Sequence, residues 1–250
     1  MIDPYVYDDT NVLINKINIK DYEMLMKIEK EFTTVRMKQI IDDEDGILIK
    51  GNYDYEHLKS FHKYIFQDIY EWAGQQRTID IEKSEIALNG IDFKYSSFEN
   101  IDKEIIKNLE EFNKVKWNKL SIDEMVTHFT YFLSNVWKAH AFREGNTRTT
   151  IMFFVKAANK SNIPLKHEIL TDNSDYLRKA LVAASYEDKG IGISRNFTYL
   201  NRIVKDSFES YEQKTSNRKT FEELKSCIED NKTNIVIEHN KVKNKRDKER

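Results

Sequence analysis

The stretch "KAHAFREGNTRTTIMFFVKAANK", residues 138–160, decides how this chain is read. Its second half is apolar almost all round, which is the pattern of a helix buried at the centre of a fold rather than lying on its surface. Just ahead of it, His140, Arg143, Glu144, Gly145, Asn146 and Arg148 crowd into nine residues, and Gly145 is the only glycine between Gly90 and Gly190. The first-turn N–H groups of a helix lack intrahelical partners and its dipole is positive there, so such an end binds anions. Asn146 suits the N-cap, Gly145 allows a close backbone approach, and Arg148 in the first turn opposes the helix dipole unless something negative sits nearby. A phosphate resolves that conflict. Glu144 beside a phosphate makes sense when Mg²⁺ is held between them, because Mg²⁺ takes one or two carboxylates plus phosphate oxygens. His140, one short loop away, can serve as general base. Together these residues read as a site for nucleotide-phosphate transfer; the competing reading is a structural histidine followed by a solvated turn.

Working outward, residues 122–139 carry an apolar stripe of Ile122, Met125, Phe129, Phe132, Val136 and Trp137 at helical spacing, so a second amphipathic helix delivers the motif. Residues 20–41 place Tyr22, Leu25, Ile28, Phe32, Val35 and Ile40 near helical spacing, and residues 55–74 predict a helix through Leu58, Phe61, Ile65, Ile69 and Trp72 that stops at Gly74. A further helix is expected over roughly 98–112. Between these, "RTIDIEKSEIALNGIDFKYSS" holds short β-prone runs around Asn89-Gly90, the strongest short hairpin signal a sequence offers. The fold class that follows is mainly α with one small β-hairpin. Seven Gly and two Pro in 250 residues agree, since a many-stranded sandwich needs more turn residues.

Forty Lys+Arg against 42 Asp+Glu leave a formal net charge of −2, so no global field drives the chain onto nucleic acid or membrane. The tail from about residue 213 is strongly charged, but residues 239–250 carry neither interleaved aromatics nor a recognised motif, which speaks against nucleic-acid binding. Cys227 is the only cysteine, which excludes an internal disulfide framework. No apolar run approaches the length of a membrane span and no leader is evident, so a cytoplasmic protein is expected. His57, His62, His128 and His167 show no ligand-like pairing with one another or with an acid cluster, so zinc is not expected.

The chain resembles the Fic family. "HAFREGNTR" matches that family's signature at His140, Phe142, Glu144, Gly145, Asn146 and Arg148, and "FHKYIFQDIYEWAGQQRTIDIEKS" at 61–84 resembles its upstream helix, Trp-Ala-Gly turn and flap. "TNVLINKINIKDYEMLMKIE" resembles the lead-in of bacterial members, and the similarity runs over roughly residues 10–205. The resemblance implies a Fic-type helical bundle with a hairpin flap, arranged as a helical lead-in (1–50), a Fic domain (51–212) and a charged tail (213–250). It implies a protein adenylyltransferase that moves AMP from ATP, with Mg²⁺, onto a Tyr, Thr or Ser hydroxyl of a target protein. His140 is then the catalytic base and Glu144 the metal ligand. Arg148 would neutralise the β-phosphate, and Gly145, Asn146 and Thr147 would form the anion hole. Phe142 would anchor the loop. A target-docking flap comprises Ile79, Ile81, Lys83, Asn89 and Gly90, with Lys83 also near nucleotide.

Three positions depart from the family pattern. Ala141 stands for the usual Pro, and Thr147 stands where adenylyl-transferring members have Gly and the phosphorylating Doc branch has Lys. Ile151 stands where many members carry a second arginine for the γ-phosphate. Doc-like phosphoryl transfer, another nucleotidyl transfer, and a non-catalytic interaction module are therefore the competing expectations. The family's inhibitory pattern, Ser/Thr-x-x-x-Glu followed by Gly or Asn, is not found, which leaves control to a separate antitoxin-like protein, expression or assembly.

Overall fold

The computed structural model describes residues 3–8, 10–85, 91–190 and 192–208. Eight helices and one strand pair occupy this span: α1 (Tyr22–Asp42), α2 (Tyr55–Phe66), β1 (Glu82–Glu85), β2 (Ile91–Lys94), α3 (Ile101–Lys114), α4 (Ile122–Ala139), α5 (Asn146–Lys160), α6 (His167–Asp172), α7 (Ser174–Ser185) and α8 (Thr198–Phe208). The mainly helical class with one small antiparallel sheet is as expected from the sequence. Asn89-Gly90 and the charged tail lie outside the described residues.

The chain divides into two compact units, the first holding the chain up to Ile81 with Tyr95–Lys119 and Tyr131–Ile163, and the second holding Glu82–Lys94, Leu120–Thr130 and the chain from Pro164. In the first unit α5 is the central helix, with Thr149 through Ala158 all buried, and it packs against α1 and α2. Aromatic edges knit this core: Phe61 meets Phe153 at 5.6 Å, and Phe112 meets Phe154 at 5.3 Å and Phe132 at 5.8 Å. Such edge-to-face pairs are the arrangement ring quadrupoles favour. Asp21 and Asp54 cap α1 and α2 by accepting from the N–H groups of Met24 (2.8 Å) and His57 (2.9 Å). In the second unit β1 and β2 pair in the register Glu82↔Lys94 to Glu85↔Ile91, while α8 packs against α6 and α7.

Two helices differ from the sequence expectation. α2 stops at Phe66 rather than running to Gly74, because the segment after it folds back: Ile69 and Tyr70 both donate to the Phe66 carbonyl, and Gly74 turns at φ 83°. α1 buries Leu25, Glu29, Thr33 and Ile40, leaving Tyr22, Phe32 and Val35 exposed. The helix is rotated from its apolar stripe because Glu29 and Thr33 both bond to Arg148, an arrangement an apolar-periodicity reading cannot see. His57 is structural: its Nδ1 accepts from the Tyr53 N–H at 3.1 Å, so Nε2 donates to the Ile49 carbonyl at 2.9 Å.

Candidate active site

The site is the turn between α4 and α5, all of it within the first unit. His140 follows the last residue of α4 with φ 49°, in the left-handed region that non-glycine residues rarely occupy. Arg77 holds this turn by its three successive carbonyls. Its guanidinium donates to Ala139 O (3.3 Å) and His140 O (2.8 Å), and its own backbone N–H donates to Ala141 O (2.8 Å). The same guanidinium reaches Ile79 O at 2.6 Å and Ser96 O. Arg77 is 1% exposed, and burial pushes its pKa down against the opposing pull of Asp80. An arginine remains charged in such a setting, so each of the guanidinium bonds is charge-assisted.

The His140 ring stacks on Tyr95, with centroids 3.6 Å apart, and meets the Trp137 indole edge-on at 5.5 Å. Its Nδ1 lies 3.3 Å from the Trp137 carbonyl. A carbonyl oxygen only accepts, so this contact selects the Nδ1–H tautomer and makes Nε2 the basic nitrogen. That is the state a general base needs.

The next four residues lock one another. Asn146 Oδ1 accepts the Phe142 N–H at 2.8 Å and its Nδ2 donates to the Phe142 carbonyl at 2.7 Å, so the side chain expected to cap the helix is spent on the loop backbone. The N-cap is Gly145, at φ 79°. A Cβ there would lie 2.1 Å from Phe66 Cζ, so the close approach this glycine permits is to an aromatic ring of α2. Phe142 packs face to face on His62 at 3.8 Å, the anchoring role expected of it. His62 is fully buried, accepts the Gly74 N–H on Nδ1 at 2.8 Å and donates from Nε2 to the Glu144 carbonyl at 3.0 Å. Desolvation drives its pKa down to about 3 and keeps it neutral. The Glu144 carboxylate, 29% exposed, accepts the Gly145 N–H at 2.9 Å.

Arg148 lies in the first turn of α5, and the negative partner its position demands is present within the chain. It donates to Glu29 Oε1 at 2.5 Å and Thr33 Oγ1 at 2.9 Å, lies 3.9 Å from Glu144 and stacks its guanidinium 4.8 Å over the Phe66 ring. Glu29 is 1% exposed and also accepts from the Tyr70 hydroxyl, whose pKa rises through burial and the neighbouring carboxylate. Thr147 accepts from the Trp137 indole N–H at 2.9 Å. Ile151 is buried in α5.

His140, Glu144, Gly145, Asn146, Thr147 and Arg148 are thus brought together as one loop and helix start. Ile79 joins them through its carbonyl on Arg77, Ile81 is buried, and Lys83 lies on β1 in the second unit. Sequence reasoning missed three residues. Arg77 lies three residues after the Gly74 turn, with no local signal of its role; His62 lies one residue after Phe61 on the apolar side of α2; and Glu29 repeats with Leu25 and Thr33 at four-residue spacing. A carboxylate on a buried helix face signals a partner cation. Among the described residues no cluster of three or more His, Cys, Asp or Glu could hold a metal ion by itself. A lone carboxylate nonetheless fits Mg²⁺ when phosphate oxygens and water complete the shell.

Residues 52–158 match the Fic/DOC family model. The chain is 32% identical over 160 residues to a relative from Escherichia coli strain K12, "Probable protein adenylyltransferase Fic", with 62% of this chain and 72% of that protein covered. A relative from Bartonella schoenbuchensis, protein adenylyltransferase VbhT, is 31% identical over 159 residues, and there the match spans 64% of this chain but only 31% of the relative's length. Among solved structures, BepC from Bartonella tribocorum with bound AMPPNP superposes with a TM-score of 0.65 at 19% identity, covering 83% of this chain and 97% of that one. The Fic domain of a VirB-translocated effector from Bartonella quintana with bound ADP gives 0.66 at 19% identity, covering 83% and 95%. With the Escherichia coli relative 32% identical over 72% of its length, and the motif loop folded as described, the chain belongs to the Fic/DOC family.

Proposed function

We propose that this protein is an adenylyltransferase that moves AMP from ATP to a Tyr, Thr or Ser hydroxyl of a target protein and releases pyrophosphate. The observation that carries the reading is the His140 tautomer: Nδ1 on the Trp137 carbonyl makes Nε2 the basic nitrogen, on the loop that leads through Glu144 into the α5 start with Arg148. Relatives named protein adenylyltransferase support it.

In the transfer, the target hydroxyl oxygen bonds to the α-phosphorus while the bond from that phosphorus to the α–β bridging oxygen breaks. The hydroxyl proton passes to His140 Nε2, and the electron pair leaves with pyrophosphate. The first-turn N–H groups of α5 receive phosphate oxygens, helped by the positive end of the helix. Arg148 uses two of its five N–H donors on Glu29 and Thr33, which fixes its plane and leaves donors for the β-phosphate. Mg²⁺, when bound, would screen the phosphate charge, and Glu144 is the carboxylate that would hold it. Nothing at the helix start favours Doc-like phosphoryl transfer: the Thr147 hydroxyl is committed to Trp137 and is no substitute for an ammonium.

We assign target docking to the strand pair β1–β2, which offers backbone edges for strand addition. A separate inhibitory partner is one route of control we retain, because the family's intrachain inhibitory pattern is not found in the sequence. No helix among the described residues is long and apolar enough to cross a membrane, which accords with the cytoplasmic site of action we infer. The test is incubation with Mg²⁺ and ATP labelled at the α-phosphate, together with candidate targets and alone, followed by mass spectrometry. Transfer of AMP to a hydroxyl is the expected outcome; a phosphate adduct, or labelling that survives His140→Ala, overturns the reading.

A further inference from the structure

His62 is a fully buried group that touches the site without belonging to the motif. Its ring lies between two aromatic faces, Phe142 at 3.8 Å and Phe66 at 4.7 Å, with interplanar angles of 13° and 24°. Within that slot both nitrogens are used. Nδ1 accepts the Gly74 N–H at 2.8 Å, which requires an unprotonated Nδ1, so Nε2 carries the proton that it donates to the Glu144 carbonyl at 3.0 Å.

The consequence runs through one peptide plane. The Glu144 carbonyl and the Gly145 N–H belong to the same trans peptide and point in opposite directions. With the carbonyl held by His62, the N–H points the other way, and it is this N–H that the Glu144 carboxylate accepts at 2.9 Å. Gly145 adds no steering of its own, since a residue at φ 79° with no Cβ tolerates more than one orientation of the preceding peptide. Packing against Phe142 alone would explain an aromatic at position 62. It would not explain a ring whose two nitrogens bridge the Gly74 turn to the motif loop.

We propose that His62 is a positioning residue for the Glu144 carboxylate, acting through the Glu144–Gly145 peptide plane to set where Mg²⁺-nucleotide binds. The inference rests on the adenylyltransferase reading of the site. The discriminating pair is His62→Gln and His62→Asn. The Gln amide nitrogen reaches about as far as Nε2 and keeps the donor to Glu144, whereas the Asn amide oxygen overlays Nδ1 and keeps only the acceptor for Gly74. Both amides leave comparable space between Phe66 and Phe142, so loss of packing falls on them alike.

Calorimetric titration of ATP at a series of Mg²⁺ concentrations, beside a melting curve, reads the difference. Both variants should melt lower than the parent by similar amounts. His62→Asn should weaken Mg²⁺-dependent ATP binding by about tenfold or more, the usual consequence of losing the group that orients a metal ligand, while His62→Gln stays within about threefold. Equal losses, or a larger loss for His62→Gln, overturn the proposal. Should neither variant fold, ¹⁵N spectra of the histidines in the parent protein decide: the Nε2–H tautomer of His62, with a resonance that moves on adding Mg²⁺-ATP, supports it. The Nδ1–H tautomer, or a resonance that Mg²⁺-ATP leaves in place, refutes it. A parent that binds Mg²⁺-ATP but transfers nothing overturns the proposed function and leaves this comparison standing; a parent without Mg²⁺-dependent binding overturns both.

Discussion

The Arg77 Nε donates to the His140 carbonyl at 2.8 Å, and with its neighbouring bonds to Ala139 and Ala141 it fixes the left-handed non-glycine residue of the motif turn. Holding a non-glycine residue there costs on the order of 1–2 kcal/mol, so the conformation persists because something over-determines it. The residue that does so also ties Ile79 and Ser96, which flank the strand pair in the chain. One guanidinium therefore ties the His140 turn to the backbone on either side of the strand pair.

Arg77→Lys keeps the charge and loses the fork. A lysine reaches at most part of the set, and each buried carbonyl left without a partner costs about 1–3 kcal/mol. The expected result is a lower melting temperature together with a fall in kcat at temperatures where the variant is folded, and ATP affinity close to the parent's. Steady-state kinetics beside calorimetry check this. A fall in kcat no larger than the unfolded fraction would assign Arg77 to folding alone.

His140→Ala should lower the transfer rate by about 10² to 10⁴ while ATP binding is nearly unchanged, because in the proposed transfer the imidazole acts on the incoming hydroxyl and the phosphates are received by α5. The substitution also removes a ring stacked on Tyr95, so the melting curve must be recorded with the rate. Full activity in a folded variant would exclude the general-base role.

How much of this was legible beforehand follows from what each signal reports. α4 and α5 could be read closely because Phe129, Phe132, Val136 and Trp137 of the α4 stripe and the apolar run of α5 are buried, although Ile122 at the start of the stripe is exposed and Met125 half-buried; the motif between them could be read because its residue types are costly anywhere else. α1 could not. Its buried face is chosen by the Glu29–Arg148 pair, which joins residues 119 positions apart, and periodicity within a helix carries no information about a partner at that distance. The end of α2 escaped for the same reason: Gly74 terminates nothing locally but donates its N–H to His62 twelve residues back. Asn146 was read as a cap from its type, whereas the structure uses both ends of its amide on Phe142.

Glu29 and Arg148 should be energetically coupled. Arg148→Ala leaves a carboxylate that is 1% exposed without its cation, whereas Glu29→Gln removes the charge and keeps much of the shape, so the arginine variant should be the less stable. Arg148 is 27% exposed, which holds the loss in Glu29→Gln to about 1–3 kcal/mol, below the value for a fully buried pair. Urea unfolding of both single variants and the double variant closes the cycle. The double variant should lose clearly less than the sum of the singles, and additivity would show that the contact does not hold α1 to α5.

Ile151→Arg is the sharpest test of why this chain lacks a second arginine. If position 151 faced the nucleotide, an arginine there would tighten ATP binding. The structure instead buries Ile151 at 5% exposure within α5, whose neighbours Thr150, Met152 and Phe153 are buried as well, and which packs on α1 and α2. A guanidinium in that position must either lie unpaired in the core or displace packed side chains to reach water, and both outcomes destabilise. The expected result is a fall in melting temperature of several degrees or more with no gain in ATP affinity, read by a melting curve and a calorimetric titration on the same preparation. Ile151→Val, which trims one methylene and adds no charge, should cost only about 0.5–1.5 kcal/mol and leave ATP binding unchanged. Tighter ATP binding in the arginine variant at an unchanged melting temperature would mean that the side chain escapes the core toward the phosphates, and the packing account of α5 would have to be given up.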